Sequence, residues 1–437
     1  MTTQDIDHLV IAGFAVEAPG GPDSPETFWA AIAGAQELIG PFPRDRGWPV
    51  DELLSESPAY DWAGIPDAGG FLTDAAAFDS AFFGLTPTEA LATDPQQRVA
   101  LRVAWRALAN SGIDPGSLVG ENGGCFIGVS PMEYGPRVAE LNEYTGYRVV
   151  GQAVLGAAGR ISHNLGLVGP SMCVDSACAS SLSALQLAGN AVRDGDCAWA
   201  LAGAVCVMGS PLAFYEFGKN NALSVDGHCR SYADGASGTL WAEGAGAVLV
   251  EHESRARAHG HRIYGRILAT QINHNGSGRP SLAPRAHAQE NLIRRTVERA
   301  GIDPAQVEYI EGHGTATRAG DRAELAALQN TYGRAGATPL LGSVKSNTGH
   351  AQAAGGMLGL IKLLLAGAAG QIPPTLFADT PTTKVDWDRS ALRLATALQP
   401  WEPTDGFRYG AVSSFGASGT NAHTIIAMPE CREDDDA

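Results

Sequence analysis

The stretch Val174-Asp175-Ser176-Ala177-Cys178-Ala179-Ser180-Ser181-Leu182-Ser183-Ala184-Leu185 decides how the rest of the chain is read. A short apolar strand at 172–174 runs into a tight turn of small residues, and the pattern predicts a helix starting at or just after Cys178. Leu182, Leu185 and Ala188 recur at helical spacing, so one face of that helix is buried. Unpaired backbone N–H groups and the helix dipole favour negative charge at such a corner. The Cys178 thiol is therefore expected to be biased toward thiolate, its reactive form. A lone cysteine supports the opposite reading as well, because free cysteine is among the most buried residue types and is usually inert. A base has to be found before the two can be told apart.

Two predicted strand ends downstream supply bases. Tyr309-Ile310-Glu311-Gly312-His313-Gly314-Thr315-Ala316-Thr317 ends a strand in a histidine and small residues. Leu340-Leu341-Gly342-Ser343-Val344-Lys345-Ser346-Asn347-Thr348-Gly349-His350 ends another in a lysine and a second histidine. Either histidine alone reads as structural. Together with Cys178 they make a chemical set: one sulfur to hold an acyl group, and two imidazoles to stabilise charge on a second thioester.

The stretches around Cys178, His313 and His350 resemble the β-ketoacyl synthases, specifically the ketosynthase domains of modular type I polyketide synthases. Further matching stretches are Pro41-Phe42-Pro43-Arg44-Asp45-Arg46-Gly47-Trp48, Asp94-Pro95-Gln96-Gln97-Arg98, Gly244-Ala245-Gly246 and Ser413-Ser414-Phe415-Gly416-Ala417-Ser418-Gly419-Thr420-Asn421-Ala422-His423. The resemblance runs from about Leu9 to about Met428. It implies an α/β thiolase-like fold, two related α/β halves forming a five-layer αβαβα arrangement. Residues 1–260 would carry the nucleophile, 261–429 both histidines, and 430–437 a disordered acidic tail.

The resemblance also implies roles. Cys178 would accept an acyl group from the phosphopantetheine arm of a carrier protein. The backbone N–H groups of Cys178 and Ala417 would form the oxyanion hole, with Gly416 and Gly419 letting the backbone approach. His313 and His350 would flank a malonyl thioester and stabilise its enolate as neutral donors. Lys345 would complete the catalytic set, paired with Glu324 as structural support, since an unpaired buried lysine is costly. Thr315 and Thr317 would hold the arm, and Phe415, Ala417, Asn347 and Arg279 would lie on the substrate side. Asn421 and His423 match the family too and read as structural. No cofactor is expected to be held permanently.

Several positions depart from the family pattern. Ala417 stands where relatives usually carry a bulky residue, which removes side-chain volume from the acyl pocket. Residues 273–285 diverge from the usual entrance loop, and Ala316 and Arg322 replace the customary Gly and Pro. Ser176 and Ala179 are mild exchanges.

Composition excludes other classes. The net charge of -17 argues against nucleic acid, whose phosphates need a basic surface. The seven cysteines follow no metal-ligand or disulfide spacing and read as reduced thiols of a cytoplasmic protein. Met1-Thr2-Thr3-Gln4-Asp5 is no signal peptide, and no apolar stretch looks long enough to span a bilayer. A free-standing homodimer is expected, with acyl carrier protein supplied in trans. Arg279, Arg285, Arg294, Arg295, Arg318 and Arg322 are possible contacts for an acidic carrier.

Strands are predicted at 8–16, 123–129, 197–208, 240–251, 264–273, 307–311, 339–344, 407–412 and 420–428. Helices are predicted through Trp29 and Ile32 with Ser24 as cap, and at 89–110, 151–165, 288–300, 321–332 and 352–366. Residues 40–70 read as a long surface excursion. The alternation implies a mostly parallel or mixed sheet covered on both faces.

Three functions compete. The first is decarboxylative Claisen condensation. The second is intramolecular aldol addition and lactone release from the Cys178-bound chain. The third, a non-catalytic partner, is disfavoured by the complete Cys/His/His set.

Overall fold

Leu9–Glu17 has no polar alternation and is buried along its whole length, as a central strand must be. In the computed structural model, which describes residues 7–55, 65–135, 144–277, 283–334, 336 and 338–430, this strand is β1. The first half continues with β2 (Gly123–Gly128), β3 (Ser171–Val174), β4 (Trp199–Cys206) and β5 (Gly244–His252). Their order is β3-β2-β4-β5-β1. β2 runs parallel to β3 and β4, while β5 is antiparallel to β4 and β1.

The second half begins with β6 (Gly265–His274), β7 (Tyr309–Glu311) and β8 (Leu340–Gly342). β9 (Gln371–Ile372) and β11 (Gln399–Pro400) form a separate ribbon, and β10 (Arg393–Leu394) extends the edge beyond β8. β12 (Phe407–Phe415) and β13 (Thr420–Pro429) complete the order β8-β7-β12-β13-β6. β7 is parallel to β8 and β12, and β13 is antiparallel to β12 and β6. Order and direction thus repeat strand for strand, β1 answering to β6, β2 to β7 and β3 to β8. Pairing of Leu9–Ile11 with β6 joins the halves into one eleven-stranded sheet among the described residues.

Helices make five layers of this. Pro95–Asn110 and Gly156–Leu165 cover the outer face of the first half. Ala286–Ala300 covers that of the second, with Arg318–Asn330 against it. Ser180–Arg193 and Gly355–Ala369 lie between, each touching strands of both halves. A helix in that middle layer must be apolar nearly all round. The run Gln352–Ala369 is indeed long and apolar enough, by length and composition, to cross a membrane, contrary to the sequence expectation. Its mean hydropathy is 1.4 and 78% of it is buried inside the fold, so it serves here as a core helix.

Several elements differ from expectation for local reasons. The helix predicted at 89–110 is two, Pro87–Ala92 and Pro95–Asn110. Pro95 has no N–H to donate, and Asp94 caps Gln96 N at 2.8 Å. The helix predicted at 151–165 is also two, Arg148–Gln152 and Gly156–Leu165, with Ala153 extended between them. Helices Leu212–Lys219 and Glu253–His259 lie where the sequence pattern marked none. The Ser24 cap is present, in a box with Thr27. Residues 431–437 of the acidic tail lie outside the described residues.

The excursion at 40–70, where residues 40–55 and 65–70 are described, is anchored there rather than merely solvated. Phe42 and Val50 are buried, and Phe42 packs edge-on to Phe214 with centroids 4.7 Å apart. Arg46 donates to both oxygens of the fully buried Glu243, which also accepts Leu72 N at 2.9 Å and Met208 N at 2.8 Å. Removing one partner of such a pair leaves a charge without compensation. Glu243→Gln is expected to lower unfolding free energy by about 3 kcal/mol or more in urea titration. Asp51→Ala, which breaks the exposed Arg44–Asp51 pair, should leave the midpoint where it was.

Candidate active site

The corner after β3 is built from small polar residues. Ser180 Oγ accepts Ser176 N at 2.9 Å and donates to Ala177 O at 2.6 Å. Asp175 Oδ1 accepts Ala177 N at 3.0 Å. Ala177 sits at φ 52°, the left-handed region that an alanine occupies only under constraint. The helix starts at Ser180, just after Cys178 as expected, and Cys178 lies in the turn before it. Ser414 Oγ donates to Cys178 O at 2.6 Å, tying the corner to β12 in the other half.

Cys178 is buried. Burial pushes its thiol above the usual range, which corrects the expectation of thiolate bias. The N–H of Ala417, the charge of Lys345 and the residue's own N–H pull the other way with smaller effect. The two N–H groups that the resemblance assigned to an oxyanion hole therefore converge on the sulfur. Ala417 reaches that place because residue 416 is glycine: a Cβ there would lie 2.3 Å from Ser176 O. Gly419, at φ 95°, turns the chain back into β13.

His313 follows β7, and His350 follows β8 and the short helix Lys345–Thr348. The rings stand nearly perpendicular, at 88°, with centroids 5.3 Å apart. His350 is held by its own N–H to Leu240 O at 2.7 Å and by Ala242 N to its carbonyl at 2.9 Å. Its Nδ1 accepts Gln352 N at 3.2 Å, so the neutral ring carries its proton on Nε2. That Nε2 and His313 Nδ1 are buried with no hydrogen-bond partner among the described residues. Burial, then the Lys345 charge, holds both imidazoles well below the usual histidine range.

No ion pair joins Lys345 to Glu324 among the described residues. Glu324 accepts His313 N at 2.6 Å, Gly314 N at 2.9 Å and Tyr232 OH at 2.9 Å, so its oxygens are committed to the loop that carries His313. Lys345 is buried and its pKa is lowered by burial, against the opposing charges of Glu311 and Glu324. Glu311 is itself paired with Lys362 at 2.8 Å.

A cavity of about 210 Å³ brings together Cys178, His313, His350, Thr315, Thr317, Phe415 and Ala417. Thr315 and Thr317 hydroxyls are 3.0 Å apart. Lys345 and Glu324 stand behind the wall. Asn347, expected on the substrate side, does not reach it; its side-chain Nδ2 donates to Gln36 O at 3.0 Å and its backbone carbonyl accepts Leu38 N at 2.7 Å. Arg279 lies outside the described residues. His423 is structural in position, bonded to Tyr332 at 2.8 Å and Ser413 at 2.9 Å. Asn421, read as structural, does line the cavity. The sequence reading missed Phe217, Thr239, Trp241 and Gln289 on the same wall. Thr239 and Trp241 alternate on one extended segment, a signal that was legible; Phe217 and Gln289 come from separate helices and had none.

Fold and site together define an enzyme of the cysteine acyl-transfer class built on a duplicated α/β fold. Residues 7–256 match the N-terminal domain of β-ketoacyl synthase, and residues 264–379 match its C-terminal domain. The chain belongs to the β-ketoacyl synthase family. It is 45% identical over 423 residues to polyketide synthase GfsE of Streptomyces halstedii, covering 96% of this chain and 11% of that protein. It is 44% identical to the pikromycin polyketide synthase component PikAII of Streptomyces venezuelae, covering 99% of this chain and 12% of that one. The chain thus spans about a tenth of the length of these curated relatives. Among solved structures it is similar to the oxazolomycin ketosynthase domain OzmH KS7 of Streptomyces albus JA3453, with TM-score 0.89 and 36% identity over 98% of this chain and 75% of that one. The ketosynthase from module 6 of the bacillaene synthase of Bacillus subtilis 168 gives 0.88 and 34%, over 97% and 73%. Both are ketosynthases of thiolase fold, the class the sequence implied.

Two outcomes follow from this geometry. Gly416→Ala should cut acyl transfer to the sulfur by about 100-fold or more, read by intact-mass kinetics, because the displaced Ala417 N–H no longer meets the oxyanion. His313, His350 and His423, the last lowered by burial to about 3, are neutral in the folded chain. The unfolded chain binds their protons below pH 6.5, so stability is full above that value and falls as pH drops. Urea midpoints between pH 6.5 and 5 should show a slope of about 1.4 kcal/mol per pH unit for each, and His423→Gln should remove one such share.

Proposed function

We propose that the chain receives an acyl group from a carrier-protein phosphopantetheine arm on Cys178 and extends it by decarboxylative Claisen condensation with a malonyl-type carrier thioester. In the first half-reaction the sulfur attacks the acyl carbonyl, the oxyanion is met by the N–H groups of Cys178 and Ala417, and the carrier thiol leaves with a proton. In the second, the bond from the malonyl α-carbon to its carboxylate breaks, carbon dioxide departs, and the electron pair becomes an enolate. The enolate carbon attacks the Cys178 thioester carbonyl, the C–S bond breaks, and the departing thiolate takes a proton from water.

The observation that carries the reading is the unpartnered, buried His350 Nε2–H beside His313 in the cavity of Cys178. A neutral N–H donor suits an enolate oxygen, which gathers charge only as carbon dioxide leaves. The Lys345 charge helps keep both rings neutral, which makes it a positioning residue rather than an acid or base. Thr315 and Thr317 are the arm's hydrogen-bonding partners in this scheme.

A homodimer belongs to the same proposal. β3 is an edge strand, and Met172 and Val168 on or just before it are 44% and 68% exposed. A second copy would cover that edge. Supply of the carrier in trans is also part of it, and separately expressed holo-carrier tests it directly.

A second reading keeps the acyl-enzyme and replaces the donor with an internal aldol addition and lactone release. The exposed Ala417 at the cavity wall, with no bulky side chain, favours it. The two separate cleanly. With malonyl-carrier present, His350→Ala should lower carbon dioxide release by about 100-fold while Cys178 still acylates, as intact mass would show. Undiminished release would overturn the condensation, and turnover of a cyclisable acyl thioester without any malonyl donor would establish the alternative.

A further inference from the structure

The middle of the fold holds an ion pair that neither half-reaction uses. Lys362 Nζ lies 2.8 Å from Glu311 Oε2, with the two side chains 0% and 1% exposed. Lys362 Nζ has no hydrogen-bond partner besides that carboxylate among the described residues. Exchanging such a pair for apolar groups of like size is often neutral or stabilising, so stability alone is a weak reason for it.

Its place gives a better one. Glu311 ends β7, two residues before His313, and its other oxygen accepts Val344 N at 2.5 Å. Val344 directly precedes the short helix Lys345–Thr348, which leads to His350. One carboxylate therefore stands at the foot of both histidine loops. It is fixed from behind as well, since Tyr309 OH donates to the same Oε2 at 2.9 Å. Lys362 reaches it from the helix Gly355–Ala369, which is pressed close at this point: a Cβ on Gly359 would lie 3.0 Å from Glu311 Cγ. The start of that helix touches the other loop, where a Cβ on Gly355 would lie 3.1 Å from His350 Nδ1 and 3.6 Å from Lys345 Cε.

Lys345 is the competing partner for the carboxylate. It is buried, and Glu311 is the largest of the charges that oppose its own, yet no ion pair joins the two among the described residues. We infer that Lys362 and Glu311 are positioning residues for the decarboxylation: Lys362 holds the Glu311 carboxylate on Val344 N and away from Lys345, which keeps His350 aimed beside His313. This rests on the condensation reading above and adds two residues to it. Without Lys362 the buried carboxylate loses its counter-charge and turns to Lys345, drawing Val344 and the His350 loop out of place. The corner that carries Cys178 and the Ala417 N–H belongs to other segments and keeps its geometry.

The test reads the two half-reactions separately. Lys362→Met should lower carbon dioxide release from malonyl-loaded carrier by about 10-fold or more, because small misplacements of a reacting geometry are costly. Acylation of Cys178 from octanoyl-pantetheine, followed by intact mass, should stay within about threefold of the parent on the same ground. Adding Glu311→Gln to Lys362→Met should restore release to within about threefold of the parent, since the glutamine oxygen still accepts Val344 N and no charge is left to turn. Tyr309→Phe removes one anchor of Glu311 without stranding a charge and should show the same split at about threefold, which keeps the test open if Lys362→Met does not fold. A pair that served stability alone would lower both half-reactions together. Equal loss in both, a double variant no better than Lys362→Met, or undiminished release in Lys362→Met and Tyr309→Phe would each overturn the inference. If the parent chain acylates Cys178 but releases no carbon dioxide, the condensation reading itself fails, which is a different result.

Discussion

The rest of the structure depends on keeping two imidazoles uncharged inside a protein interior. Burial alone would do this, and the Lys345 charge reinforces it. A lysine in the same interior needs opposing charge, which comes from Glu311 and Glu324 without a direct pair to Glu324. Each carboxylate is in turn spent on the backbone: Glu311 on Val344 N at 2.5 Å, Glu324 on the His313 loop. Glu311 and Glu324 thus both oppose the Lys345 charge that helps neutralise the histidines and make the hydrogen bonds that aim the histidine loops.

Duplication explains why these groups meet. β3 and β8 occupy equivalent places in the two halves, and each leads through a turn toward a middle-layer helix. Cys178 and His350 follow those two strands, so the thiol and the imidazole occupy corresponding corners that open on one cavity. His313 follows β7, the equivalent of β2. Ends of parallel strands are where open α/β sheets collect ligands, and here two such ends open on one cavity. The Ser414–Cys178 bond and the clash that forbids a side chain at residue 416 show how closely the halves are fitted there.

The same fit sets the state of the sulfur. Reading the corner as a helix start points to a thiolate, but the helix begins at Ser180 and the sulfur lies where water is excluded. Burial outweighs the two N–H groups and the lysine. The sulfur rests as a thiol, and in the proposed acyl transfer the donors around it would serve the oxyanion.

Local order was legible in the sequence because it follows from short-range rules. The periodicity of Leu182, Leu185 and Ala188, the Ser24 cap and the unbroken apolar run of β1 each answer to neighbours a few residues away. The motifs around Cys178, His313 and His350 likewise marked three side chains that the fold gathers at one cavity and, through resemblance, the family. Distances across the fold were decided by packing alone. Proline at residue 95 cut a helix that its apolar spacing had joined, and burial reversed the expected charge of a thiol. Glu324 turned from Lys345 to a backbone, Asn347 was drawn away from the cavity, and Thr239, Gln289 and Asn421 were gathered at its wall from segments far apart in the chain. Hydrogen bonds and desolvation depend on which atoms are neighbours in space, and only the folded chain sets those neighbours.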